Sequence, residues 1–308
     1  MKKFLLSEKN KDRIFICLML TLPILHFLVF WLYIKGNSLV IAFQNEYTGE
    51  FSLEHFQRFF NQFKLDIERG GMLKGAIANT FISAGIGMLV NMPLAIFFTF
   101  VLYKKFFGHN FFRVVFYLPG IFGTVICTMM TKYILDATGP IVFIGRELGI
   151  TWIPEVIQKG LLGNNATARA TYFITMVSVG GGTILLLTGA LQKIPKDLFD
   201  VGKIEGMGFF REFWYVALPC SWNTIGIMWV MSFASVWGEY SRSYLLTNGA
   251  YGTSTLGYYL FTRTLASTTG SESYNYPAAV GLLLSAIVIP LTLLLRWGAT
   301  KVVTDVEF

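Results

Sequence analysis

Long apolar runs, separated by polar connections of unequal length, dominate this 308-residue chain. A helix needs roughly 20 largely apolar residues to cross a hydrocarbon core of about 30 Å. The pattern therefore predicts an all-α membrane protein. We place six transmembrane helices at about 14–34, 73–103, 112–136, 170–191, 221–246 and 276–297.

The first apolar run is too long for the core of a signal peptide, and no small-residue cleavage site follows it. We therefore expect it to remain in the protein as an anchor. The predicted organisation is a tail at 1–13, one transmembrane domain at 14–297 and a second tail at 298–308.

Composition excludes a soluble globular protein, because 54% of the residues are hydrophobic and only 14% are charged. The net charge of +7 is explained by topology, since basic residues are denser in the N-terminal tail and in alternate connections. The positive-inside rule then puts both tails in the cytoplasm. No basic stripe with interleaved aromatic residues indicates a nucleic acid partner.

The connections on the outer side predict short helices rather than a separate domain. "SLEHFQRFFNQF" in the first connection has aromatic residues at helical spacing, which is typical of an amphipathic helix at the interface. The second connection, between 136 and 170, contains apolar runs too brief to span the membrane. The third predicts a further short helix around Leu256 to Leu265.

The loop at 197–219 contains an unusual stretch, "DVGKIEGMGFFREFWYVALP". Acidic residues early in a short helix are favoured by the helix dipole, and Gly206 and Gly208 are expected to end that helix. Pro219 suits the first turn of the next spanning helix, where its missing N–H costs nothing. The topology places this short helix on the cytoplasmic side.

The same stretch resembles the EAA loop of ATP-binding-cassette importer permeases, in which Glu-Ala-Ala is followed by Asp-Gly-Ala and later by Leu-Pro. Here an aspartate stands where the pattern has its glutamate, and a glutamate stands where it has its aspartate. The alanines are replaced by other small or apolar residues. The resemblance implies a coupling helix that sits in a cleft of a cytoplasmic ATPase. The residues that match the pattern are Asp200, Val201, Gly202, Glu205, Gly206, Met207, Gly208 and Pro219.

Other stretches resemble the sugar-permease branch of these importers, and are similar to the larger maltose-transporter subunit and to glycerol-phosphate permeases. They are "NTF" at 79–81, "FFRVVFYLP" at 111–119, "SFASVWGEYSRSYLLTNG" at 232–249, "GTSTLGYYLFTRTL" at 252–265 and "YPAAVGLLLSAIV" at 276–288. The resemblance covers nearly the whole chain from residue 14 onward. It implies the type I ABC importer permease fold, in the plasma (inner) membrane of a bacterial or archaeal cell.

The resemblance also implies a mechanism and a set of partners. The chain is a non-catalytic subunit that works by alternating access, as a heterodimer with a second permease. Two ATP-binding-cassette ATPase subunits, an extracytoplasmic solute-binding protein, a mono- or oligosaccharide and membrane lipid are the other implied partners. ATP and Mg are used by the ATPase subunits, and this chain is expected to bind no cofactor or metal itself.

A translocated polar solute needs hydrogen-bonding groups near the membrane midplane, on helix faces turned away from lipid. Polar residues three or four apart on helices four and five meet this requirement, and several align with sugar-contacting positions of the maltose relative. Val236 replaces an amide of that relative. The predicted substrate-binding residues are Thr175, Ser178, Gly182, Ser232, Val236, Trp237, Glu239 and Tyr240, with Ser243 on the same face as those of helix five.

Two of these assignments have alternatives. Trp237 and Tyr240 can stack on the apolar face of a sugar or simply pack in the protein core. Glu239 can accept sugar hydroxyls as a gate residue, or form an ion pair with Arg242, three residues further on, near the outer interface.

Two other functional classes were weighed. An ion-coupled secondary carrier of a polar solute is the main alternative, but it should contain a relay of intramembrane carboxylates or histidines. Predicted helices two, four and six lack acidic residues within their apolar spans. An intramembrane enzyme should concentrate catalytic residues at membrane depth, but of the three histidines only His26 lies in a predicted span. The sequence has no G-x-x-x-x-G-K-[ST] phosphate loop, as expected of a permease subunit without a nucleotide site of its own.

Overall fold

The computed structural model describes residues 8–149, 154–178, 180–270 and 273–302. The ends of the predicted tails, at 1–7 and 303–308, lie outside these ranges. Across the described residues the regular elements are helices, with an isolated antiparallel bridge between Gln44 and Phe51.

We number the helices along the chain, counting short π-helical turns as part of the helix that contains them. They are α1 (Asp12–Ala42), α2 (Glu54–Arg69), α3 (Met72–Tyr103), α4 (His109–Ile121), α5 (Thr124–Leu135), α6 (Pro140–Glu147), α7 (Pro154–Lys159), α8 (Ala168–Met176), α9 (Gly181–Gln192), α10 (Lys196–Ile204), α11 (Phe209–Cys220), α12 (Trp222–Val236), α13 (Ser241–Thr247), α14 (Leu256–Thr268) and α15 (Asn275–Val302).

Among the described residues, four helical segments are long and apolar enough to cross a membrane. Two bent pairs also pass when each pair is taken as one span, which makes up to six spans. The four segments are α1, α3, α8 with α9, and Asn275–Lys301 of α15. The bent pairs are α4 with Thr124–Glu147, at 103°, and α11 with α12, at 73°.

The structure corrects three of the predicted spans, because each is interrupted. The predicted helix at 112–136 bends at Phe122 and Gly123, whose backbones are extended. The helix at 170–191 is interrupted between α8 and α9, and that at 221–246 between α12 and α13. A glycine lies in or beside each interruption, and glycine lowers helix propensity by about 1 kcal/mol relative to alanine.

The chain divides into two compact units. The first is Met1–Asn61 with Arg263–Leu284, and the second is Gln62–Thr262 with Ser285–Phe308. In the first unit, the Gln44 backbone carbonyl accepts hydrogen bonds that tie the loop after α1 to the start of α15. The Asn275 amide donates to it at 2.7 Å, and a His55 ring nitrogen lies 3.1 Å from it.

In the second unit, α3 is the element around which the others pack. Just past the middle of α3, Met92 and Ala95 pack with Leu187 of α9 and with Ile225 and Met228 of α12. Closer to its C-terminus, α3 contributes to a second apolar cluster. This coupling-end cluster consists of Phe100, Leu191, Ile194, Phe199, Phe213, Val216 and Ala217.

The N-terminal part of α3 is fixed to the loop before α14 by two fully buried polar residues. Asn79 donates from Nδ2 to the carbonyls of Gly252, at 2.7 Å, and Ser254, at 2.8 Å. The Thr80 hydroxyl accepts the Leu256 N–H at 3.0 Å. Asn79 and Thr80 of the "NTF" stretch therefore hold the loop before α14 in place. Their buried side chains find hydrogen-bond partners there, as buried polar groups generally do.

Candidate functional site

A polar cavity lies at the middle of the helices of the second unit. Its volume is about 200 Å³, and we call it the central cavity. The π-helical turn Gly87–Asn91 lies midway along α3, and Ser178 lies near the middle of the span Ala168–Gln192. The lining residues are Ser83, Ile86, Gly87, Asn91, Thr124, Tyr172, Met176, Ser178, Ser232, Val236, Glu239, Arg242 and Thr255.

The interrupted helices meet at the central cavity, and side chains there bind the backbone groups that the interruptions free. Asn91 donates from Nδ2 to the Met176 carbonyl at 2.9 Å and accepts the Ser178 N–H at Oδ1, at 3.1 Å. The Arg242 guanidinium donates from Nη1 to the Thr175 carbonyl at 3.0 Å.

The break after α12 is closed in the same way. The Glu239 carbonyl accepts a hydrogen bond from the Thr255 hydroxyl at 3.0 Å. Unpaired backbone groups at membrane depth cost several kcal/mol each, and irregular backbone is tolerated there only inside protein or beside a cavity. These contacts therefore allow the helices to be discontinuous where the cavity lies.

The two walls of the cavity approach closely where α3 faces α12. A Cβ atom added at Gly87 would lie 3.0 Å from the Ser232 hydroxyl oxygen. That distance is tighter than ordinary van der Waals contact, so the position favours glycine. The close approach sets the width of the cavity at this level.

The structure brings only part of the predicted substrate-binding set to the central cavity. Ser178, Ser232, Val236 and Glu239 line it. The other four predicted residues, Thr175, Gly182, Trp237 and Tyr240, do not line it. The assignment of substrate contacts stays a prediction for the lining residues.

Two of these four residues, Trp237 and Tyr240, have aromatic partners. Trp237 is buried against Phe81 and Phe233, and Tyr240 stacks on Phe261 with ring centroids 4.3 Å apart. Both rings therefore pack against other aromatic residues of the protein, which agrees with the core-packing alternative.

The prediction that Ser232, Val236, Glu239, Tyr240 and Ser243 share one helix face is wrong, because α12 ends at Val236. Residues beyond it follow a turn rather than the helical register. The Ser243 hydroxyl is buried and donates a hydrogen bond to the Thr253 carbonyl at 2.6 Å, so it links α13 to the loop before α14.

The interpretation of Glu239 and Arg242 as an ion pair is not supported by their hydrogen bonds. Glu239 Oε1 accepts the backbone N–H of Arg242 at 3.2 Å, whereas the Arg242 guanidinium donates to Thr175. Both residues line the cavity, so it contains one acidic and one basic side chain. These charges balance one another within the cavity.

Several lining residues were missed by sequence reasoning. Asn91 is the clearest case, because a lone amide in the middle of a long apolar span is itself a signal of a buried polar site. Ser83, Thr124, Tyr172 and Thr255 carry no comparable signal, since hydroxyl-bearing residues are common on any helix face.

A second functional element, α10, is a short helix whose C-terminus is closed by a Schellman motif. The Met207 N–H donates to the Gly202 carbonyl at 2.8 Å, and the Gly206 N–H donates to that of Lys203 at 3.0 Å. Gly206 has φ of +73°, the left-handed conformation that this motif requires and that glycine adopts without strain. The predicted end of the helix at Gly206 matches this geometry.

Two details of the predicted loop need correction. Gly208 does not end α10 but lies at the N-cap of α11, with φ of −75° and ψ of 168°. Pro219 lies near the end of α11, after a π-helical turn at Phe213–Ala217, and not in the first turn of α12. The helix ends at Cys220, one residue after this proline, and the bend between α11 and α12 follows at Ser221.

One face of α10 is buried and the other is exposed. Phe199 and Gly202 are buried, whereas the apolar side chains of Val201 and Ile204 are exposed, Ile204 by 86%. Leu198 is partly exposed as well, so the outer face of α10 carries several apolar side chains together, and a group of exposed apolar side chains is a feature of surfaces that bind another protein.

The exposed face also carries a charge pair. Lys203 Nζ donates to Asp200 Oδ1 at 2.8 Å. This hydrogen bond, together with the charge of Lys203, holds the pKa of the Asp200 carboxyl below its ordinary value. Asp200 therefore stays ionised at neutral pH, and the acid at the start of the EAA-like pattern is presented as a carboxylate.

The buried face of α10 is attached to α3 through both apolar and charged contacts. Phe199 belongs to the coupling-end cluster and packs against the Tyr103 ring, with centroids 5.6 Å apart. The Lys104 ammonium lies 4.5 Å from the centroid of the Phe199 ring and forms an ion pair with Glu212. The side chain of Glu212 is only 8% exposed, so a largely buried charge pair joins the end of α3 to α11, beside Phe199 of α10.

Comparisons with known proteins agree with the geometry. No family model matches the chain. The multiple sugar-binding transport system permease protein MsmF of Streptococcus mutans is 25% identical over 229 residues, which cover 74% of this chain and 76% of the relative. The probable ABC transporter permease protein YesP of Bacillus subtilis is 25% identical over 285 residues, which cover 88% and 86%. The sn-glycerol-3-phosphate transport system permease protein UgpE of Yersinia pestis is 29% identical over 107 residues, which cover 34% and 37%.

Solved structures show the same fold at lower identity. A bacterial ABC transporter involved in the import of the acidic polysaccharide alginate matches with a TM-score of 0.78 at 18% identity, over 96% of this chain and 98% of that chain. The alginate transporter in complex with an alginate pentasaccharide-bound periplasmic protein matches with a TM-score of 0.76 at 18% identity, again over 96% and 98%.

The predicted fold is confirmed: the chain is an all-α, multi-pass membrane protein with the fold of an ABC importer permease. The predicted resemblance to the permeases of sugar importers is also confirmed by these relatives. The central cavity and α10 are thus features of a transport protein.

The Lys104–Glu212 pair gives a prediction about stability. Glu212→Gln leaves a largely buried ammonium group without a counter-charge. We expect the free energy of unfolding to fall by about 1–3 kcal/mol, less than for a fully buried pair because Lys104 is 23% exposed. The measurement is the thermal unfolding midpoint of the purified protein in detergent.

The matched control replaces both partners, as Lys104→Met with Glu212→Met. Removing both charges avoids the unpaired ion, so this double variant should be closer to wild type than Glu212→Gln. An equal or larger loss of stability in the double variant would show that the charges are not what the pair contributes.

Proposed function

We propose that this chain is the membrane-spanning permease subunit of an ATP-driven, binding-protein-dependent importer of a carbohydrate. It forms half of the translocation pathway and couples to a cytoplasmic ATPase through the 200–219 loop. The observation that carries the proposal is the arrangement along α3. This helix lines a polar cavity at its middle and holds the exposed, capped helix α10 at its C-terminal end.

The proposed orientation follows from this role. The coupling helix α10 faces the cytoplasm, and both chain termini lie on the same side, in the plasma membrane of a bacterium or archaeon. The basic residues before α1 and after α3 support this orientation through the positive-inside rule.

The proposed assembly contains a second, different permease, two ATP-binding-cassette ATPase subunits and an extracytoplasmic solute-binding protein. ATP and Mg are used by the ATPase subunits, and this chain is a non-catalytic subunit without a cofactor of its own. The large exposed apolar surfaces of this chain are consistent with contacts to membrane lipid and to another membrane subunit. The most apolar window of α1 is 0% buried within the chain, and that of α15 is 11% buried.

The chemistry of the central cavity favours a neutral, polyhydroxylated solute. Hydroxyl and amide groups line it on several helices, and its acidic and basic side chains balance. Hydroxyl groups can both donate and accept hydrogen bonds, which suits a sugar that does the same. A mono- or oligosaccharide is therefore the proposed substrate class.

The decisive experiment uses the complete complex reconstituted in liposomes, with the solute-binding protein and radiolabelled sugar outside and ATP inside. We expect uptake to require ATP and to be unaffected by a protonophore. Uptake that continues without the ATPase subunits and follows an imposed proton or sodium gradient would identify an ion-coupled carrier instead.

The backbone of Gly206 allows a sharp test of the coupling helix. Valine in the left-handed conformation is strained by about 1–2 kcal/mol, whereas asparagine tolerates that conformation. We expect Gly206→Val to lower ATP-driven uptake about tenfold, the equivalent of 1.4 kcal/mol, and Gly206→Asn to retain more of it. Uptake is measured together with ATP hydrolysis, since the strained variant should hydrolyse more ATP per sugar transported.

Both Gly206 variants must first be shown to insert and assemble at wild-type levels. Equal uptake by the valine and asparagine variants would contradict a role for the left-handed turn.

Ser232 tests whether the central cavity is the pathway. Phenylalanine at this position adds a ring to a cavity of about 200 Å³, where the wall of α3 is already close. We expect Ser232→Phe to abolish sugar uptake while the complex still hydrolyses ATP. The matched control is Ser235→Phe, at an exposed position on the same helix that does not line the cavity.

If Ser232→Phe transported as well as Ser235→Phe, the solute would have to pass elsewhere.

A further inference from the structure

A second polar cavity lies at the other end of α3, away from the coupling helix. It has a volume of about 630 Å³. We call it the terminal cavity. Its lining residues are Gly70, Gly71, Met72, Lys74, Gly75, Ala78, Asn79, Arg169, Gly249, Gly252 and Ser254.

Glycines make up much of the wall of the terminal cavity. Gly70, Gly75 and Gly252 each face open space, because a Cβ atom added at any of them would meet no atom within 4 Å. Because these positions carry no side chains, another polypeptide can approach the backbone closely there. The wall is therefore suited to contact with a protein loop.

The charge of the terminal cavity is positive. Lys74 and Arg169 line it, and both side chains are exposed. The adjacent Asp66 carboxylate is already engaged, because its Oδ2 accepts the Leu73 N–H at 3.0 Å. The cavity thus presents two cations, and the carboxylate beside it is used within the protein.

Arg169 is held in place rather than free to swing. Its Nε donates to Asn79 Oδ1 at 3.2 Å, and Asn79 is itself fixed by its two bonds to the loop before α14. The guanidinium has five N–H donors, so this bond leaves the terminal nitrogens for a ligand. A fixed guanidinium binds a carboxylate in a defined geometry, which gives specificity as well as attraction.

The position of the cavity identifies the side of the membrane. The spans Met72–Tyr103 and Ala168–Gln192 both run from the terminal cavity to the coupling-end cluster. If α10 faces the cytoplasm, as proposed above, the terminal cavity opens to the outside. In the proposed assembly, the partner that meets the transporter from that side is the solute-binding protein, and the two cations of the cavity would attract acidic side chains on it.

We infer that the terminal cavity is a docking socket for an acidic loop of the solute-binding protein, with Lys74 and Arg169 as its charge contacts. The inference rests on the proposed function. It adds a connection between docking and transport, because Asn79 and the central cavity lie on the same helix. A loop seated in the socket contacts the outer end of the element whose middle lines the pathway.

The test measures how the ATPase activity of the complex in lipid nanodiscs responds to sugar-loaded solute-binding protein. The quantity compared is the concentration of binding protein that gives half-maximal stimulation. We expect Lys74→Glu to raise this concentration about tenfold and to weaken its dependence on salt, because a docking charge is reversed. Gly75→Leu should raise it similarly by filling the socket, and the space around Gly75 accommodates the new side chain.

Lys64→Glu is the matched control. It makes the same charge change on an exposed position of α2 that does not line the socket, and it should leave the half-maximal concentration unchanged. Thermal unfolding of each complex separates loss of docking from loss of folding.

Half-maximal concentrations that stay at the wild-type value in both Lys74→Glu and Gly75→Leu would overturn the socket while leaving the proposed function intact. The proposed function itself fails if wild-type complex shows no stimulation by any solute-binding protein and no ATP-driven uptake. A photo-crosslinker at Ala78 should capture the solute-binding protein, and capture of the second permease instead would also overturn the inference.

Discussion

The need to pair every backbone N–H and carbonyl within the hydrocarbon region constrains this structure more than any other factor. An uninterrupted helix satisfies it automatically, but it leaves no polar surface at membrane depth. Here the helices are interrupted, and Asn91, Arg242 and Thr255 bind the carbonyl groups that become free. The same contacts that allow the interruptions surround the central cavity. A polar space at the middle of the spans and discontinuous helices are thus two consequences of one arrangement.

The helix α3 connects the functional parts of the second unit. Its first turns contribute Asn79 to the terminal cavity, its middle contributes Asn91 to the central cavity, and its last residues pack against α10. Packed interfaces of this kind switch between discrete arrangements rather than deforming gradually. A displacement of α10 by a partner therefore has a short physical route to the cavity. The route runs through the coupling-end cluster and the Lys104–Glu212 pair.

The sequence predicts the parts of this structure that depend on local or one-dimensional signals. Apolar runs identify the spans, and the glycine at 206 identifies the end of α10, because both follow from composition at a few positions. The interruption after Val236 was not predicted in this way, because "SFASVWGEYSRSYLL" continues a helical pattern and the propensity cost of Gly238 alone does not decide where a helix ends. For Trp237 the sequence left both sugar stacking and core packing open. Its real partners, Phe81 and Phe233, become visible only when α3 and α12 are packed together.

In the proposed importer, the central cavity is only part of the solute path. The central cavity has a volume of only about 200 Å³ and is bounded by helices of one unit, while α1 and most of α15 expose their apolar side chains. In lipid, helices gain little from merely burying apolar surface against each other, so association depends on close packing and polar contacts. A second permease that supplies such contacts would enlarge the cavity and bury part of this surface. The remaining exposed surface is then the part that lipid covers.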